Sequence, residues 1–286
     1  MFTAVSSISR YKSLWHEQEL FSFSLLKLPD DSVIMKEVVR KGGFALGQVI
    51  AFVSGKGGTG KTTLCAAIGG ALSQLGMKVL CIDLDIALRN LDLPLGLQDT
   101  APVSFLDVMS GSVKTEALSP HPRLPNLYFL TAPVDHTVPC PDFYQFLEAL
   151  RGQFEFILLD ASAGIDQSFH LAVERADRVI VVTQVDPTCL RDAQRTGQLA
   201  RAYGPANVKL IVNRVNPKLY RRLVVNVDDM MDAVGLPLLG LVPEHPQVTV
   251  SAGWGIPLSL TRSSPAEACR RIARRLCGEQ VPLGLR

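Results

Sequence analysis

Hydrophobic residues along this chain gather into short uninterrupted runs, divided by polar or glycine-rich turns and by longer segments of helical periodicity. The runs are VIAFVS (49–54), KVLCID (78–83), LYFLTA (127–132), FEFILLD (154–160), RVIVVTQ (178–184), VKLIVN (208–213) and LLGLVP (238–243). They are rich in Val, Ile and Leu without polar alternation. Each predicted strand is therefore covered on both faces, as in a parallel sheet held between helical layers. Helices are expected over 61–75, 141–151, 187–203 and 227–234, the third opening on Pro187 behind Asp186, a suitable N-terminus. Such alternation predicts an α/β fold with a doubly wound, mostly parallel sheet flanked by helices, and ligands at the carboxyl ends of its strands.

Composition narrows this little. The chain has 286 residues, 47% hydrophobic and 20% charged, enough for one large core. A net charge of +2 demands neither a nucleic acid nor a membrane as partner. Six scattered cysteines without a CxxC pair read as reduced packing thiols, and no apolar run reaches membrane-spanning length. Residues 1–34 carry aromatics without a secretory arrangement, and Met35 opens a segment that would itself serve as a start. Residues 1–47 are expected to be a poorly ordered N-terminal extension.

The chemistry begins at SGKGGTGKTT, Ser54 to Thr63. Gly55-Lys56-Gly57-Gly58-Thr59-Gly60-Lys61-Thr62 fits G-x-x-x-x-G-K-[ST], after a predicted strand and before a predicted helix. Glycines let backbone N–H groups converge on phosphate oxygens, and the helix N-terminus, including Thr63, adds its dipole. Lys61 can reach the β- and γ-phosphates, and the Thr62 hydroxyl can ligate magnesium. A P-loop nucleotide-binding domain over 48–286 follows, with a nucleotide and Mg2+ as cofactors.

That motif has one lysine to spare. With Lys56 included, the loop resembles the KGGxGKT signature of the MinD/ParA family of dimerising ATPases. The resemblance covers about residues 48–278 and implies that the nucleotide is ATP. It implies that Lys56 crosses a nucleotide sandwich to the partner subunit's phosphates, where a cation supplied in trans acts as an arginine finger does. Within CIDLDIALRNLDLPLG (81–96), the resemblance is closest to MinD's switch I. It implies that Asp85 orients or deprotonates the attacking water, that Asp83 supports the magnesium shell, and that Asn90 shares the switch. FILLDASAG (156–164) resembles the second magnesium motif, which implies that Asp160 serves the metal, but Ser162 stands where the family usually has proline. That departure puts the stiffness of switch II, and hence the hydrolysis rate, in question. Asn213 matches the family's adenine-recognising residue, with Pro243 and Glu244 as further base contacts. Gln184-Val185 replaces a commoner Asn-Pro ahead of a helix at the dimer face.

The resemblance implies an ATPase switch: an ATP-dependent homodimer, an activating or effector protein of unknown identity, and a role in placing a division site or another envelope assembly. A cytoplasmic chain is implied, peripheral at most to the inner face of the cell membrane. The arginine-rich segment 266–277 is expected to be the last core helix rather than a membrane anchor. Two other functions remain open. A ParA-like DNA-partition ATPase would use RVNPKLYRR (214–222) or RRIARR (270–275) as a nonspecific DNA face, and the Ser162 departure suggests a nucleotide-bound scaffold with weak hydrolysis.

Overall fold

In the computed structural model, residues 46–134, 139–216 and 227–284 are described. Seven strands, β1 (Gln48–Ser54), β2 (Val79–Asp83), β3 (Leu127–Leu130), β4 (Phe156–Ala163), β5 (Arg178–Thr183), β6 (Val208–Val215) and β7 (Leu238–Pro243), form one sheet in the order β3-β2-β4-β1-β5-β6-β7. Every pairing between them is parallel. The central strand shows why the apolar runs lacked alternation. Val49, Ala51 and Val53 enter one core layer, while Ile50 and Phe52 enter the other. All five are fully buried.

The helices are α1 (Lys61–Gln74), α2 (Asp92–Leu95), α3 (Phe105–Met109), α4 (Cys140–Arg151), α5 (Gln167–Val173), α6 (Pro187–Tyr203), α7 (Val227–Val234), α8 (Gln247–Gly253) and α9 (Ser264–Leu276). α4, α5, α6 and α7 cover one face of the sheet, and α1 and α9 the other. Ala268, Cys269, Ile272 and Leu276 of α9 are buried beside α1 and β7, so the segment is the core helix its small apolar face called for. Its arginines are engaged at home. Arg270 reaches the Ser259 carbonyl and Glu267, Arg271 the Gly284 carbonyl, Arg274 the Glu279 carboxylate, and Arg275 the Leu239 and Val281 carbonyls.

Boundaries differ modestly from expectation. β3 stops at Leu130, β4 starts at Phe156 and runs to Ala163, and β6 continues to Val215. The unexpected helices α2, α3, α5 and α8 have four to seven residues, too few turns to print a 3.6-residue period. Apart from Leu46 and Gly47, the N-terminal extension lies outside the described residues, as does most of RVNPKLYRR. All six cysteines are free, and among the described residues no helix is long and apolar enough to cross a membrane.

Candidate nucleotide-binding site

β1, flanked by β4 and β5, delivers the glycine loop to the carboxyl edge of the sheet, and the loop runs straight into α1. Gly60 has φ +91°, and a Cβ there would lie 2.2 Å from Asn213 Nδ2. Glycine suits the left-handed backbone, and any side chain there would push the Asn213 amide from its place. Gly60→Ala is expected to destabilise the fold by about 1–3 kcal/mol, read as a lower thermal midpoint, because strain and clash coincide. Gly55 meets a different limit, since a Cβ there would sit 2.8 Å from the Asp192 carbonyl of α6. α1 has neither a side-chain cap nor an acidic residue in its first turn. Its first N–H groups thus face the loop with their positive dipole end unneutralised, the condition that suits an anion. Thr59 is buried, and its hydroxyl has no hydrogen-bond partner.

The two lysines of the loop part company. Lys61 is buried, and its Nζ donates to Asp160 Oδ1 at 2.6 Å and to Thr62 Oγ1 at 3.4 Å. Lys56 is exposed at the rim. The Asp186 carboxyl, the N-cap of α6, is held below its usual range by Cys189 first and by the Lys56 charge to a smaller degree.

Asp83 ends β2 and is paired in register with Asp160, three residues before the end of the neighbouring β4. Burial, reinforced by the Asp160 charge, pushes the Asp83 carboxyl up to about 7. Burial likewise pushes Asp160 upward against the pull of Lys61. Two buried carboxylates side by side and one ammonium leave an excess of negative charge that a divalent cation would neutralise. Asp83 also organises the chain after β2. Its Oδ1 accepts the Asp85 N–H at 2.9 Å and its Oδ2 the Leu91 N–H at 3.0 Å, closing the intervening loop at both ends. Asp85 is half-buried, with Oδ1 accepting the Leu88 N–H, and Asn90 is exposed beyond it.

At the end of β4, Ser162 occupies the position where stiffness was in question. Its N–H donates to Ser168 Oγ at 2.8 Å, and its hydroxyl donates to Asp166 Oδ2 at 2.5 Å. Asp166 in turn caps α5 through the Phe169 N–H. Two hydrogen bonds thus hold the segment that a proline ring would otherwise restrain. Neither Asp166 nor Ser168 was singled out from sequence; the Asp-x-x-Phe spacing of a helix cap was the available signal.

Beside the loop lies a cavity of about 510 Å³, a volume suited to a purine nucleoside. Gly60, Thr63, Asn213, Pro243 and Glu244 all line it, so residues far apart in sequence meet at one place. Val248, at the end of the LVPEHPQV segment (241–248), lines the same wall, and so does Arg214, which the sequence did not mark for the base. Arg214 carries φ +52°, uncommon outside glycine. Asn213 Nδ2 donates to the Thr59 carbonyl at 2.8 Å, which leaves its carbonyl oxygen for another partner. A glycine cradle, an orphaned buried hydroxyl, a paired carboxylate and hydroxyl set and an adjoining purine-sized cavity fit a magnesium nucleotide.

Comparison with known proteins agrees with this geometry. Residues 50–258 match the family model described as the CobQ/CobB/MinD/ParA nucleotide binding domain. The septum site-determining protein MinD of Synechocystis is 36% identical over 244 residues, covering 83% of this chain and 92% of that protein. The MinC:MinD cell division protein complex of Aquifex aeolicus superposes with a TM-score of 0.77 at 37% identity, covering 84% of this chain and 99% of the other. MinD of Pyrococcus horikoshii, solved with Mg-ADP, superposes with a TM-score of 0.70 at 31% identity, covering 80% and 96%. The chain belongs to the MinD/ParA family of P-loop ATPases.

Proposed function

We propose that this chain is a MinD-like ATPase switch in which ATP pairs two copies, hydrolysis separates them, and the cycle serves placement of a division site. The observation that carries this reading is the separation of the two loop lysines, one buried against its own metal-site carboxylate and the other exposed at the rim. An exposed cation beside the phosphate loop can act on a second subunit without disturbing its own site.

In this reading the loop from Gly55 to Gly60 and the first turn of α1 through Thr63 cradle the phosphates. Lys61 would exchange Asp160 for the β- and γ-phosphates, freeing that carboxylate. Magnesium would be held by Thr62, Asp83 and Asp160, and would neutralise charge on the transferring phosphoryl group. Asp85 would orient the attacking water, while Asn213, Pro243 and Glu244 surround the base. An effector protein would read the paired state, as the Aquifex aeolicus relative solved with MinC suggests for this chain. Attachment to a membrane surface would need a segment other than α9.

The DNA-partition reading is less well supported, since the arginines of RRIARR are spent on intramolecular partners. The scaffold reading loses force because Ser162 is tethered twice. Asp85→Ala tests the role of the switch. It is expected to bind ATP, to hydrolyse it at least about a hundred-fold more slowly, and to accumulate as a dimer in size-exclusion chromatography with Mg-ATP. Unchanged turnover would remove Asp85 from the mechanism.

A further inference from the structure

The hydrogen bonds of the glycine loop involve a residue that no motif marks. Gln184, immediately after β5, donates from Nε2 to the Gly58 carbonyl at 2.9 Å. Asn213, from β6, donates to the next carbonyl along, that of Thr59. The third in succession, Gly60 O, accepts the Leu64 N–H at 2.9 Å as α1 begins. Three consecutive loop carbonyls are thereby taken by donors from three different elements.

In a planar trans peptide the C=O and the following N–H point in opposite directions. Holding the Gly58 carbonyl toward β5 turns the Thr59 N–H the other way. Holding the Thr59 carbonyl toward β6 does the same for the Gly60 N–H. Glycines at 58 and 60, with φ +79° and +91°, allow the backbone to accept that arrangement. The Thr59 and Gly60 N–H groups are thereby turned away from those donors and left free for an anion.

Gln184 is well mounted for the task. Thr183 and Val185 on either side are buried, and Thr183 Oγ1 donates to the Cys189 carbonyl at 2.9 Å, bracing the turn from β5 into α6. Only the side-chain amide projects to the loop. Asparagine in its place would fall one methylene short.

We propose that Gln184 is a positioning residue for polyphosphate binding, which sets the orientation of the Gly58–Thr59 peptide and thereby aims the Thr59 N–H at the β-phosphate. This rests on the P-loop reading given above. The effect should depend on the ligand: nucleotides with a β-phosphate feel the peptide, and AMP does not.

The test is calorimetric titration of the whole chain with ADP and with AMP, both with magnesium, for the parent, Gln184→Ala, Gln184→Asn and Lys61→Ala. Gln184→Ala should bind ADP about five-fold more weakly with AMP affinity unchanged, and should unfold at the parent's temperature when no nucleotide is added. Gln184→Asn should behave like Gln184→Ala. An equal fall for AMP and ADP, or unchanged ADP affinity, would overturn the positioning role even if Lys61→Ala has lost ADP. Full ADP affinity in Lys61→Ala would overturn the P-loop reading and this inference with it.

Discussion

Lys61→Ala should abolish nucleotide binding and also weaken the nucleotide-free fold. The binding loss follows from charge-assisted contacts to phosphate, whose removal lowers affinity by about a hundred-fold or more. The loss of stability follows from what stays behind. Asp160 is 1% exposed, and Lys61 Nζ, 2.6 Å away, is its ionic partner. Removing one member of a buried pair costs about 3–5 kcal/mol, because the other becomes an uncompensated charge. Protonation of Asp160, already favoured by burial, would offset part of that cost. A second change, Asp160→Asn, should therefore recover stability in the Lys61→Ala background while leaving binding lost. Chemical denaturation of the single and double variants, each titrated with ADP, measures both effects. Equal additive losses would show that the pair contributes nothing of its own.

Lys56→Ala should present the opposite profile. Lys56 is exposed at the loop rim, so its truncation is expected to change stability by no more than about 0.5 kcal/mol. Nucleotide affinity of the isolated subunit should be retained, because Lys61, Thr62 and the backbone cradle remain. Turnover is where it should fail, by roughly a thousand-fold if the lysine acts as a finger supplied in trans. The rise of specific activity with protein concentration should vanish with it. Steady-state phosphate release across a concentration series reads both quantities. A mixture of Lys56→Ala with Asp85→Ala adds a further check, since a lysine acting across the interface restores activity to one site of the mixed dimer.

The parts of this molecule that were legible in advance are those whose physics is local. Val49 to Val53 must be apolar throughout because opposite faces of β1 enter different cores, so its run announces a buried parallel strand. The glycine loop needs consecutive residues to build one anion cradle, so Gly55 to Thr62 is readable as a word. Asp83 and Asp160 stand out in the sequence because each carboxylate follows a recognisable apolar run, and the family resemblance supplies the role expected of them. What stayed hidden depends on distance or brevity. α5 has seven residues and α2 only four, so neither completes enough turns to show a period. The hydrogen bonds that stiffen Ser162 come from Asp166 and Ser168, whose side chains look like ordinary turn polarity in a sequence. Gln184 read as a departure from a commoner Asn-Pro, because its partner, Gly58, lies 126 positions away. Arg214 gives no sequence sign of its left-handed backbone. Its place in the base cavity depends on β7 and α8 closing over it.

In the proposed cycle the two lysines of the loop serve different subunits. The direct measurement is the solution mass of the parent and of Lys56→Ala, by light scattering behind size-exclusion chromatography, in Mg-ATP and in Mg-ADP. The parent should be a dimer in ATP and a monomer in ADP, and Lys56→Ala should remain monomeric or pair without hydrolysing. A parent that stays monomeric in ATP while hydrolysing it at full rate, or a Lys56→Ala protein that turns over ATP as fast as the parent, would contradict it.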